Sequence, residues 1–119
     1  MICQDELPGY MGEALPELSS ELCDKEKCKN VYSTIHVLVD HTNEEIVKGN
    51  IGRVKKYFSV AEKLYDKGDD AVKKAIENVY VFSLSHFLSH DSRKRDVLIG
   101  LLPVGLYTIY LGQMINSHI

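Results

Sequence analysis

Two histidines stand four residues apart in "SLSHFLSHDS", residues 83–92, with an aspartate directly behind the second. On a helix this spacing puts both side chains on one face, a turn apart, so His86 and His90 can be offered to a single metal ion. His36 and Asp40 repeat the spacing earlier in the chain. Two helices carrying these pairs would complete a four-ligand site of the kind that helical bundles build in their cores. His86, His90, His36 and Asp40 are therefore the metal candidates, and a metal-dependent helical enzyme is the function they would serve.

The neighbouring residues favour a plainer reading. Phe87 and Leu88 follow His86, so no HExxH carboxylate stands where a metalloprotease needs its base, and Ser33 occupies the position three before His36 where a di-iron motif has Glu. His90 falls at the end of a helical stretch, where imidazolium is favoured by the helix dipole and can bond the last carbonyls. Asp91 or Ser92 then serves as the next N-cap. His86 lies on a line through Val79 and Phe82, which predicts a partly buried histidine. Cys3, Cys23 and Cys28 form no CxxC pair and are odd in number, which points away from a disulfide framework and towards a reducing compartment. A thiol beside Lys25 and Lys27 would be somewhat activated, but nothing selects one cysteine as a nucleophile. Phosphate-binding glycine loops are missing, and no cofactor is implied.

Charge is the other chemistry on offer. The chain carries a formal −3, which argues against nucleic acid as a partner. Asp5, Glu6, Glu13, Glu17, Glu21 and Asp24 give residues 1–24 a charge of −6 with no Lys or Arg, leaving the remainder at +3. This acidic segment either lies, loosely attached, on its own domain or addresses a partner. Arg93, Lys94 and Arg95 sit where a helix should begin, against the helix dipole. Either the three long side chains reach into solvent at little cost, or something acidic faces them: the chain's own N-terminal segment, an acidic partner protein, an anionic lipid surface or nucleic acid. The partner candidates are thus Asp5, Glu6, Glu13, Glu17, Glu21, Arg93, Lys94 and Arg95.

The elements that must position these residues all read at helical period. In residues 50–68, Ile51, Val54, Phe58, Ala61 and Leu64 step by three and four between charged residues. Gly49-Asn50 and Gly68-Asp69 each supply a C′ glycine and a polar N-cap candidate. A helix over about 27–48 turns Val31, Ile35, Leu38 and Ile46 inward. Residues 3–22 are helical with interruptions at Pro8 and Pro16, and a helix of about twenty residues follows Asp69. Residues 97–115 hold no charged residue in nineteen. Such a stretch is long enough to span a membrane, but the apolar faces of the other helices need a partner, which favours a buried core helix bent at Pro103. No strand pattern and no repeat is evident. The prediction is one all-α domain over 1–119, a compact bundle of about five helices with short loops and a last helix kinked near Pro103.

In "AEKLYDKGDDAVKKAIENVYVFSLS" (61–85) and "LLPVGLYTIY" (101–110) the chain resembles small, uncharacterised, all-helical bacterial proteins of the domain-of-unknown-function kind, over roughly residues 51–111. The resemblance implies a helical, bacterial, cytoplasmic protein and transfers no catalytic residue. The A-x-x-L-Y-x-x-G run is also similar to part of a tetratricopeptide helix, without that family's 34-residue period. These observations favour a non-enzymatic protein-interaction module. Its specific form would be a toxin-neutralising, immunity-type protein, because charge complementarity speeds association with a basic toxin domain. A homodimer is the other partnership to be expected. The alternatives are the metal-dependent enzyme and a membrane-associated protein using residues 97–115.

Overall fold

Polar caps and two prolines set where the helices begin and end. The computed structural model describes residues 2–24, 29–88 and 92–117. Helix α1 (Leu7–Ala14) has Pro8 in its first turn, where a missing N–H removes no hydrogen bond. A 3₁₀ turn at Pro16–Leu18 leads into the short α2 (Ser19–Leu22). Helix α3 (Val31–Lys48) is capped by Asn30, whose side-chain oxygen accepts from the Ser33 N–H at 2.9 Å, and it ends at Gly49 with a left-handed φ of 78°. Helix α4 (Ile51–Lys67) follows. Asp69 then caps α5 (Asp70–Ala75), accepting from the Val72 N–H at 2.9 Å. This helix continues without a break through a π-turn (Ile76–Val81) into α6 (Phe82–Leu88). The last two helices are α7 (Ser92–Leu101) and α8 (Val104–Ser117).

With α5 and α6 taken as the two ends of one helix, the described residues hold seven helices where the sequence suggested about five. Two prolines account for the difference. Pro16 divides the first element into α1 and α2. Pro103 does not bend the last helix but stops it: Leu102 and Pro103 are non-helical, and α8 restarts at Val104. A residue before proline is pushed out of the α region, and proline has no N–H to give the preceding turn. Among the described residues the β contacts come down to one isolated bridge, Ile2 with Gly68.

Helix α3 runs through the middle. It takes α1 and α2 on one part of its surface and α4, α5, the π-turn and α6 on another, while α8 lies on α4, α6 and the π-turn. Val31, Ile35, Leu38 and Ile46 all face inward, as their spacing predicts. The acidic segment is fastened down: Leu7, Met11, Leu15 and Leu18 are fully buried. Its start is also tied in, with the Ile2 N–H donating to the Lys67 carbonyl at 2.6 Å and the Asp69 N–H donating to the Ile2 carbonyl at 2.8 Å. Gly68, beside this pairing, is glycine because of local crowding. Its φ of −75° is open to any residue, but a Cβ there would run into the Leu64 carbonyl and the Val72 side chain. Asn50, in turn, does not cap α4; its amide donates to the buried Glu45 carboxylate at 2.6 Å.

The π-turn decides what α6 shows to solvent. It adds a residue to one turn, which rotates everything after it by about 100° relative to a regular helix. Tyr80, Val81 and Leu84 are buried as a result, whereas Phe82 is 63% exposed. The line through Val79, Phe82 and His86 that predicts a half-buried histidine is broken at this point, and His86 is exposed.

Candidate functional site

Helix α8 has two unlike sides. Leu106 and Tyr110 are buried against the body of the protein. Beside them Gln113 donates to the Glu77 carbonyl at 2.8 Å and accepts from the Ser85 hydroxyl at 3.4 Å. The start of the helix is held by α4, since the Gly105 N–H donates to the Glu62 carboxylate at 2.9 Å. A carboxylate suits a helix N-terminus, where N–H groups lack partners and the dipole is positive. Gly105 allows the approach, because a Cβ there would overlap that carboxylate.

The opposite side is apolar and uncovered. Val104, Tyr107, Leu111 and Ile115 are all exposed, Val104 by 82% and Ile115 by 60%. Their steps of three, four and four put them in one stripe along the helix, with the exposed Thr108 and Gly112 beside them. No charged residue interrupts it. Singly scattered apolar residues are normal on a protein surface, whereas a contiguous stripe is a candidate docking surface. The sequence did not reveal it, because residues 97–115 are apolar almost all round and give a helical wheel no contrast. Only the packing shows which side is left over.

Near the base of α8, Glu62, Lys63, Tyr65, Asp66, Lys73 and Gly105 line a shallow, open groove of about 430 Å³. Glu62 is occupied in capping α8. The Tyr65 hydroxyl donates to Glu77 at 3.1 Å, and burial together with that carboxylate raises its pKa. Both effects keep the Tyr65 phenol protonated rather than activating it.

Of the metal candidates, the described ones, His36, Asp40 and His86, are not brought into one group. His36 and Asp40 are exposed on α3 and share a groove with Glu21, Ser33 and Val37. Glu21 is already engaged there, 2.9 Å from the His41 ring nitrogen. His86 is exposed on α6, and His90 and Asp91 lie outside the described residues. Among the described residues no group of three or more His, Cys, Asp or Glu could hold a metal ion. Cys3 and Cys23 are exposed free thiols; Cys28, Lys25 and Lys27 lie outside the described residues.

The acidic candidates divide in two. Asp5, Glu6 and Glu13 are exposed around α1. Glu17 accepts from the Tyr57 hydroxyl at 3.4 Å and lies 3.9 Å from the Lys56 ammonium, and Glu21 meets His41, so these two partly serve their own domain. Arg93, Lys94 and Arg95 do fall in the first turn of α7. Arg95 is half-buried, and the side chains of Arg93 and Lys94 are outside the described set. No helix among the described residues is long and apolar enough to cross a membrane, the apolar stretch being divided at Pro103.

The chain belongs to the family described as domain of unknown function DUF7674, whose model matches residues 8–116. That range begins in α1 and ends in α8, so the acidic helix and the apolar helix are parts of one family unit. No curated protein and no solved structure matches the chain.

Proposed function

We propose that this protein is a non-enzymatic interaction module that presents α8 to a partner protein. One observation carries the reading: an uncharged stripe of four exposed apolar side chains on a helix whose other side is fixed to the core. A fully buried side chain of this size contributes roughly 1.5–3 kcal/mol. Covering the stripe thus supplies several kcal/mol towards the cost of association. A helix held at both its start and its middle loses little further freedom on docking, which favours affinity.

A second feature supports a partner of basic character. Asp5, Glu6 and Glu13 stand exposed on an anchored segment, and negative charge held in place steers a basic protein towards encounter. A toxin-neutralising, immunity-type role, with a basic toxin domain as partner, is the specific form of the proposal.

Native mass spectrometry of the chain isolated from its own host tests the reading. A protein at fixed stoichiometry is expected with the wild type and should be lost with Leu111→Glu. Reversal of Asp5, Glu6 and Glu13 to lysine should slow its association in a salt-dependent way. Retention of the complex by the Leu111→Glu variant would count against α8 as the contact face.

A further inference from the structure

Resting on the reading of α8 as a contact face, we infer that Gln113 and Gly105 are the positioning residues of that face. They lock the roll of α8 about its own axis and so decide which side a partner meets. Burial alone makes no such choice. The inward pair is Leu106 and Tyr110; the outward pair, one residue on, is Tyr107 and Leu111. A roll of about 100°, the angle of one residue, exchanges the pairs. It returns a tyrosine and a leucine, four apart, to the core in reversed order. The half-buried Ile109 then cedes its place to Tyr110. The apolar content of the seam is nearly the same either way, and the hydrophobic effect is non-directional. Nor does α8 carry a charged residue to hold one side in water.

Directional contacts break the tie, one towards each end of the helix. Gln113 uses both halves of its amide: the N–H donates to the Glu77 carbonyl at 2.8 Å, and the oxygen accepts from the Ser85 hydroxyl at 3.4 Å. In a regular α-helix a carbonyl serves the N–H four residues on. Over Ile76–Val81 the π-turn replaces that pattern, and there the Glu77 carbonyl accepts from α8. Eight residues before Gln113, about 12 Å along the axis, the Gly105 N–H donates to the Glu62 carboxylate at 2.9 Å. A Cβ at position 105 would overlap that carboxylate. The rolled helix swings Gln113 away from both its partners and brings Leu106, with its Cβ, to Glu62. It loses at both ends what burial returns in the middle. The π-turn thus supplies the acceptor that orients the stripe.

Fluorine NMR of the chain carrying 3-fluorotyrosine at its seven tyrosines tests the inference. Replacing Tyr107 and Tyr110 by phenylalanine in turn identifies their signals, and the shift of each on exchanging water for heavy water reports its contact with solvent. In the wild type that shift should be larger at Tyr107, which is 37% exposed against 4% for Tyr110. Gln113→Glu keeps the shape but cannot donate, and only the rolled helix returns its charge to solvent, at the exposed place of Gly112. It should move the balance between the two rolls by roughly ten-fold or more, so that Tyr110 gains solvent shift and Tyr107 loses it. Gly105→Ala should produce the same exchange from the other end of the helix. Circular dichroism checks that each variant folds; if Gln113→Glu does not, Gly105→Ala decides in the same terms. Unchanged signals in a folded variant would overturn the inference. So would a gain at Tyr110 without a loss at Tyr107, which describes a helix come loose rather than turned. The measurement involves no partner, so the lock can hold even where Leu111→Glu keeps its host partner and the contact-face reading fails.

Discussion

Tyr80 and Thr42, thirty-eight residues apart, meet inside the core where the π-turn passes α3. Thr42 donates its hydroxyl to the Leu38 carbonyl at 2.7 Å, which leaves its oxygen to accept from the Tyr80 hydroxyl at 3.0 Å. The two ends of this bond are not equivalent. Tyr80→Phe removes a donor and leaves Thr42 bonded, which should cost about 1 kcal/mol. Thr42→Val strands the fully buried phenol, and a buried unsatisfied polar group costs about 1–3 kcal/mol. Urea melts should therefore rank Thr42→Val as the more damaging change; the opposite order would assign the proton differently. Burial also raises the Tyr80 pKa well above the ordinary value of 10.0. The folded state then holds a proton that the unfolded state gives up, so the stability due to this group is whole below pH 10 and declines as the pH rises beyond it. Tyr80→Phe should shallow that alkaline decline without abolishing it, because burial raises Tyr57 and Tyr65 too. Little of this contact was legible in the sequence, since nothing local ties residue 42 to residue 80. The caps were legible, because they are local: Asp69 caps α5 and Gly49 turns left-handed as their residue types demand. Gly68 was only half legible, a stop that is real but set by crowding rather than by φ.

At the scale of the element, the π-turn separates what the periodicity gives from what it misses. Up to Ile76 a regular wheel assigns the buried face correctly, with Val72, Ala75 and Ile76 all inside. Past the turn the same wheel places Phe82 inward, and it is instead among the more exposed apolar residues, while Leu84 is 3% exposed. The stretch "VYVFSLSHFL" is too uniformly apolar for the shift to be seen without the fold. The consequence is a reversal of mutational sensitivity. Phe82→Ser should change stability by no more than about 0.5 kcal/mol, as exposed substitutions do. Leu84→Ala should cost about 2–5 kcal/mol. Thermal or urea unfolding of the two variants checks this, and a large loss from Phe82→Ser would mean that the helix runs on without the extra residue. The same uniformity hid the stripe on α8, which is defined by the burial of Leu106 and Tyr110 on the other side and by the bonds to Glu62, Glu77 and Ser85.

For the whole molecule, the question is whether the acidic segment belongs to the folding unit or rides on it. Composition alone suggests a solvated appendage: residues 1–24 carry six acids and no Lys or Arg. Burial argues the reverse. The apolar residues Leu7, Met11, Leu15 and Leu18, at steps of three and four, are fully enclosed, and they complete the surface of α3 that α4 to α6 leave open. Removing four such side chains from water contributes roughly 6–12 kcal/mol before entropy is counted, a sum comparable to the entire net stability of a domain. The rest of the chain should not stay folded without it. Its charges can then face outward at fixed positions, which is what steering a basic partner requires. Unfolding should accordingly be a single cooperative event. A fluorophore on Cys23, an exposed thiol just beyond α2, reports on the acidic segment once Cys3 and Cys28 are replaced by serine. Its urea midpoint should coincide with that of far-UV circular dichroism, which is dominated by α3 to α8. An earlier transition at Cys23 would make the segment an appendage after all, and would loosen the charges on which the proposed steering depends.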